Sequence, residues 1–301
     1  MINRAILLIH TDNEEVKSIH RVCSTLEALA GGGVEVLARP DPEFVPDPED
    51  LVHAAAMRAA PAFDLAAVTK AHRRQPGRCE LCGAGVTSAG AGRHAAMCAA
   101  EHDEQKGAVQ TLVQLRVTAP GLSDYWLEME MGDDAKLDAL DQFLRYIWLE
   151  CCGHLSLFSI GGIDYCSRGT DLEFSSPFAA PREERSMSAR LRDVLARSDG
   201  RIVHEYDFGS TTRLKLDVKG TRRGRIGRQA VRLLARNGPL TWPCAVCGVP
   251  ATLVCAYGRY DPGNPFVCEE HAKGHGCEEG EGLMPIVNSP RSGVCGYTIE
   301  T

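Results

Sequence analysis

Leu112-Val113-Gln114-Leu115-Arg116-Val117, then Pro120-Gly121, then Tyr125-Trp126-Leu127-Glu128-Met129-Glu130-Met131 are two alternating runs around a Pro-Gly turn. Apolar side chains at every second position send one face of a strand into a core and the other toward water. The pair therefore reads as a half-buried hairpin. Downstream, Leu137, Leu140, Leu144, Ile147, Trp148 and Cys151 fall on one helical stripe, with Asp133 or Asp134 placed to cap it. Residues 154–160 read as a strand. Residues 187–196 read as a helix burying Leu191, Val194 and Leu195, and 202–208 with 212–218 as a hairpin around Gly209-Ser210-Thr211. Strand, strand, helix, strand, helix, hairpin predicts an α+β domain, an antiparallel sheet with packed helices, here flanked by small zinc-binding modules.

The chain has 301 residues, long enough for several compact units. Residues 1–72 read as an α/β region of no assignable role. A strand over 4–10, a helix over 14–29 closed by Gly31-Gly32-Gly33 and a strand over 34–38 come first. Pro40, Pro42, Pro46 and Pro48 then mark a linker, and a second helix starts near Asp47 or Pro48 and runs to about residue 59. Residues 73–105 read as a zinc-finger-like module, 106–238 as the α+β domain, and 239–301 as a metal-binding tail.

Thirteen cysteines occur, most of them grouped with histidines. Cys79, Cys82, His94 and Cys98 follow C-x2-C-x11-H-x3-C. A tight turn presents the first two, and a helical turn presents the last two on one face, a closed tetrahedral set for zinc. His102 is a competitor for the fourth place. In the tail, Cys244-x2-Cys247 and Cys268-x2-His271 complete a second set. Cys255, His275 and Cys277 are left one ligand short of a further site, because Gly258 stands where a C-x2-C partner would fall. Cys295 or a bound water would fill that place, or no further metal binds; two or three zinc ions are expected in all. A bound water would leave an open position for hydrolytic zinc chemistry. Too few apolar residues follow residue 239 to build a core without metal. Cys151 and Cys152, adjacent and pointing in different directions at a helix end, read as core or supporting residues rather than a redox-active pair, and His154 with Asp207 as either an acid–base pair or a satisfied buried histidine.

Net charge is −7, which argues against a general polyanion binder. Basic residues nevertheless crowd 182–236, and Arg222, Arg223, Arg225 and Arg228 are candidates for nucleic-acid contact or for a solvated loop and helix face. No apolar run approaches the roughly 18 residues of a membrane helix. The N-terminal stretch, followed by acidic Asp12 to Glu15, lacks a secretory cleavage site. Cysteine-rich and without a secretion signal, the chain is expected in the cytoplasm, with metal in place of disulfides. No phosphate loop, nucleophile elbow or His-Glu-x-x-His motif is present, so no organic cofactor is expected.

Leu137 to Arg145, Trp148 to Ser156, Tyr206 to Thr212, Leu233 to Asn237, Pro285 to Arg291 and Gly293 to Tyr297 resemble the zinc-bearing branch of the plasmid open-reading-frame-three-like family, first named from a root-inducing plasmid. The resemblance covers about residues 75–299. It implies an α+β domain on an antiparallel sheet with a small metal-binding tail, no catalytic residues, and an association with mobile elements. In similar sequences the tail carries two C-x2-C pairs before a C-x2-C…H-x-C end. Here Cys244, Cys247, Cys255, Cys268, His275 and Cys277 match, His271 stands for one cysteine and Gly258 for another. The residues and the resemblance together predict a non-enzymatic, zinc-stabilised module that binds protein or nucleic acid. The competing expectation is a zinc-dependent hydrolase using an incompletely ligated tail metal.

Overall fold

The computed structural model describes residues 76–167, 183–198, 200–257, 265–275 and 282–299. It also gives the backbone of two short strands, Ile6–Leu7 (β1) and Glu35–Val36 (β2), which pair in parallel. Those two belong to a compact unit separate from the one that carries every element below. The helices expected over 14–29 and 47–59, and the proline-rich linker, lie outside the described residues.

The principal unit is mostly sheet, and its helices are few and short. Ten strands lie side by side: Gly77–Cys79 (β3), Gly85–Val86 (β4), Gln110–Ala119 (β5), Leu122–Gly132 (β6), Ser156–Ile160 (β7), Ile163–Cys166 (β8), Glu183–Ser186 (β9), Arg201–Tyr206 (β10), Thr212–Gly224 (β11) and Val231–Arg236 (β12). Their order across the sheet is β4-β3-β12-β6-β5-β11-β10-β7-β8-β9. Every neighbouring pair is antiparallel except β8 and β9, which makes the sheet mixed. The expected antiparallel sheet forms, β8–β9 apart, but with helices this few and short the fold is largely β rather than a clearly helix-packed α+β domain.

The β5–β6 hairpin is at the centre, but it is buried on both faces rather than one. Tyr125 packs edge-to-face on Trp148 at 6.3 Å, so Tyr125, Leu127 and Met129 face the helix Leu137–Leu144 and the π-type turn Arg145–Leu149 that extends it. On the other face lies the helix α1, Ser88–Glu101, capped by the Thr87 hydroxyl, which accepts from the Gly90 amide at 3.1 Å. Trp126 joins Cys79, Val86, Ala91 and Cys98 beneath it. Glu128 and Glu130 share that covered face and are fully buried. Buried carboxylates need partners, and arginines supply them: Arg116 donates to Glu128 at 2.6 Å, and Arg222 and Arg232 converge on Glu130 at 2.9 and 3.0 Å.

This network redefines the arginine-rich stretch. It is not a helix but the end of β11, an irregular turn over 225–230, and β12. Arg222 also pairs with Asp103 at 2.7 Å, Arg223 reaches the Thr111 hydroxyl, and Arg225 reaches the Gly107 carbonyl. Arg228 stays exposed in the turn.

Four smaller departures have local causes. Lys136, not Asp133 or Asp134, precedes the Leu137–Leu144 helix (α2), and no side chain caps it; Asp134 is held instead by Arg190 and Arg192. The stripe Leu137, Leu140, Leu144, Ile147, Trp148 is buried, but Glu150 is extended, so Cys151 lies beyond the helix. The expected helix over 187–196 is a single turn, Leu191–Leu195 (α3). After β12 the chain builds a small sheet of Leu253–Cys255 (β13), Phe266–Val267 (β14) and Leu283–Pro285 (β15), with the one-turn helix Glu269–Ala272 (α4) between the last two. Trp242 stacks on Phe266 at 4.4 Å to close it. The segment then returns to the large sheet. Asn237 and Asn288 exchange amide hydrogen bonds at 2.7 and 3.1 Å, and the Ser289 hydroxyl donates to the Trp148 carbonyl at 2.7 Å.

Candidate metal centres

Among the described residues, three groups of three cysteines and one histidine form, each with its four donor atoms within 4.8 Å of one another. The eleven described cysteines are all free thiols.

The first group is Cys79, Cys82, His94 and Cys98. Cys79 ends β3, and the Gly83 amide donates back to its carbonyl at 3.0 Å, a turn that swings Cys82 toward the same point. Gly83 takes φ 74 there, a backbone conformation glycine adopts without strain. His94 and Cys98 come from α1. Cys79 and Cys98 sulfurs stand 3.7 Å apart, and Cys82 sulfur is 3.3 Å from His94 Nε2. His102 leans on Cys98 at 3.4 Å but stays outside the four.

The third group, in chain order, is Cys244, Cys247, Cys268 and His271. The Gly248 amide donates to the Cys244 carbonyl at 2.9 Å, repeating the turn of the first group. Cys268 and His271 enter from the start of α4, with Cys268 3.2 Å from His271 Nδ1 and 3.9 Å from Cys247.

Between them lies a group that the spacing did not announce: Cys151, Cys152, His154 and Cys295. Cys152 sulfur is 3.4 Å from Cys151, 3.1 Å from His154 Nε2 and 3.7 Å from Cys295, and His154 Nε2 is 3.3 Å from Cys295. Because the helix ends before Glu150 and Gly153 turns at φ 75, the adjacent cysteines are not splayed as they would be on a helix. Among the described residues Cys295 therefore joins this group rather than Cys255 or His275. The Asn237–Asn288 contact sends the chain back to the large sheet and sets Cys295 beside the 150–155 loop. Cys255 is buried in β13, and neither it nor His275 joins a metal group among the described residues; Cys277 lies outside them. The legible signal was Cys-Cys-x-His, three soft donors within four residues, beside an unassigned cysteine near the end.

A buried polar frame holds this middle group. Arg291 is fully buried and donates to the Asp207 carboxylate at 2.5 Å, to the Thr212 hydroxyl at 2.9 Å, to the Ser210 carbonyl at 3.0 Å and to Cys151 sulfur at 3.5 Å. Arg145 and Arg291 both lie against the Tyr206 ring, at 4.8 and 4.9 Å. Tyr206 donates to Glu150 at 3.1 Å. His154 presents Nε2 to the sulfurs and Nδ1 to Asp207 at 3.6 Å, the arrangement in which a carboxylate orients a ligating imidazole.

The donor atoms fit an ion. Metal–sulfur bonds of about 2.3 Å in a tetrahedron place sulfurs about 3.8 Å apart and nitrogen slightly nearer, the spacing found in all three groups. The crowded thiols also shift one another's ionisation. The Ala84 amide and His94 draw Cys82 down to about 7, whereas burial and the neighbouring thiols push Cys98 up to about 12. Burial pushes Cys244 up, but the amides of Cys247, Val246 and Cys268 outweigh it and bring the thiol down to about 6. Cys151 and Cys295 push Cys152 up to about 12. In each group one thiol ionises readily and so holds a neighbour protonated. A bound dication removes that conflict and lets all three ionise together.

Fold and sites thus define a largely β protein with three Cys3His groups able to hold metal. No helix among the described residues is long and apolar enough to cross a membrane. No family model matches the chain and no curated protein matches it. A solved structure, the crystal structure of a protein of unknown function from Methanosarcina mazei Go1, is similar over 43% of this chain and 70% of that one, at 15% identity and a TM-score of 0.34.

Proposed function

We propose that the chain is a zinc-stabilised, non-enzymatic interaction module of the plasmid open-reading-frame-three-like kind, with a protein as its partner. The observation that carries this reading is that each Cys3His group brings four protein donors to one point. Such a set suits zinc by softness and geometry and leaves no coordination position for water or substrate. The family reading is supported by the convergence of its separate stretches. Those around 148–156, 206–212 and 285–297 pack together around the middle group, through Ser289 on Trp148, Arg291 on Asp207, and Cys295 on His154.

A protein partner is favoured over nucleic acid because Arg222, Arg223 and Arg225 are engaged within the fold. In addition, Val246 and Val249 stand 67% and 48% exposed on the turn of the third group. X-ray absorption at the zinc edge tests the coordination. Three sulfurs and one imidazole per zinc are expected, and an oxygen donor in the average shell would restore the hydrolase. A labelled DNA duplex should bind only weakly, and steep salt-dependent affinity abolished by Arg228→Glu would reverse the choice of partner.

A further inference from the structure

The three groups differ in which sulfurs meet solvent. In the first, Cys79 and Cys98 are buried and only Cys82 is exposed. In the third, Cys244 and Cys268 are buried and only Cys247 is exposed. In the middle group Cys152 and Cys295 are both exposed, and their sulfurs are 3.7 Å apart. The middle group also joins segments 143 residues apart in sequence, whereas the cysteines of the first group span 19 residues and Cys244 and His271 are 27 apart.

Its backbone is singular as well. Among the described residues, the non-glycine positions with positive φ are Asp207 at 64° and Cys295 at 49°, and both serve this group. Side chains avoid that region unless their surroundings hold them there. Cys295 sits between Gly293 and Gly296, themselves at φ 78 and 68, in a turn that aims its sulfur outward and at Cys152.

We propose that Cys152 and Cys295 form a peroxide-oxidisable thiol pair, metal ligands when reduced and a disulfide when oxidised. The proposal rests on the zinc reading. The Cys152 thiolate attacks one oxygen of hydrogen peroxide; the O–O bond breaks, a sulfenic acid forms, and the departing hydroxide takes a proton to leave as water. The Cys295 thiolate then attacks Cys152 sulfur; the S–S bond forms, and the second hydroxide leaves, again as water. Two thiolates, one peroxide and two protons give one disulfide and two waters. The sulfurs lose two electrons and the peroxide oxygens gain them. Zinc keeps its oxidation state and departs, because Cys151 and His154 alone hold it weakly.

The test uses the full zinc-loaded chain. Its metal content is first counted by elemental analysis, and three ions per chain are expected. Hydrogen peroxide is then added with a chromogenic zinc indicator, and disulfides are mapped by mass spectrometry without reduction. A fast phase releasing one zinc in three is expected, together with a single new crosslink between the peptides carrying Cys152 and Cys295 that dithiothreitol reverses. Cys295→Ser should abolish both, and the mapping on the unaltered chain stands even if that variant folds poorly. Release of all three ions at one rate, or a first crosslink elsewhere, including Cys151 to Cys152, would overturn the proposal. A starting count of two ions, with Cys152 and Cys295 open to alkylation, would instead overturn the zinc reading of this group, and the proposal with it.

Discussion

Arg291 is the residue on which the middle metal group turns. Its guanidinium is fully buried, and it is the cation facing Asp207, itself almost wholly buried. Replacing it with alanine leaves a carboxylate uncompensated in the interior, and breaking such a pair costs about 3–5 kcal/mol. Lysine should not restore it, since one ammonium cannot serve Asp207, Thr212 and Ser210 at once. Chemical denaturation of Arg291→Ala and Arg291→Lys measures both. Burial alone would raise the Asp207 carboxyl, but Arg291, the Ser210 hydroxyl and the amides of Ser210 and Gly209 outweigh it and hold it well below the usual range. A depressed carboxyl adds stability that is fully present above its unfolded value of about 4 and is lost as pH falls through the folded one. The stability difference between the unaltered chain and Asp207→Asn should therefore be flat above about pH 5 and shrink below pH 4. A difference that grows on acidification would contradict the assignment. At this scale the sequence was legible where ligands lie close along the chain, as at Cys79 and Cys82 or Cys268 and His271. It was not legible where the chain itself decides proximity, as between Cys152 and Cys295.

At the scale of the element, the β5–β6 hairpin was readable from period-two alternation and a Pro-Gly turn, whereas β3 and β12 were not. β12 carries arginine on a covered face, so it looks solvated until Glu130 is seen beneath α1. β3 is too short to show a period. It docks on the sheet because Gly77 has no side chain: a Cβ there would overlap the Arg236 carbonyl and the Trp126 ring. Gly77→Ala should therefore shift β3 and cost about 1–3 kcal/mol, the range for overpacking a tight site. The loss should appear in hydrogen exchange as faster opening of α1 and the Cys79–Cys82 turn than of β10 or β11. Uniform destabilisation would mean that β3 is not the anchor of the first metal group.

Over the whole molecule, groups able to hold metal are distributed along the described fold rather than confined to its ends. The first group ties α1 to the edge of the large sheet, the third organises a small sheet with little apolar core, and the middle one ties the returning segment to the 150–155 loop. The ligand group of the tail was legible in the spacing of Cys244, Cys247, Cys268 and His271. The return of residues 287–297 to the large sheet was not, because it depends on Asn237 meeting Asn288 and on a buried arginine. The most direct test of this arrangement is the zinc content of the unaltered chain and of Cys152→Ser, each purified without chelator. Three ions and two ions, respectively, are expected. Equal counts in the two proteins would contradict it.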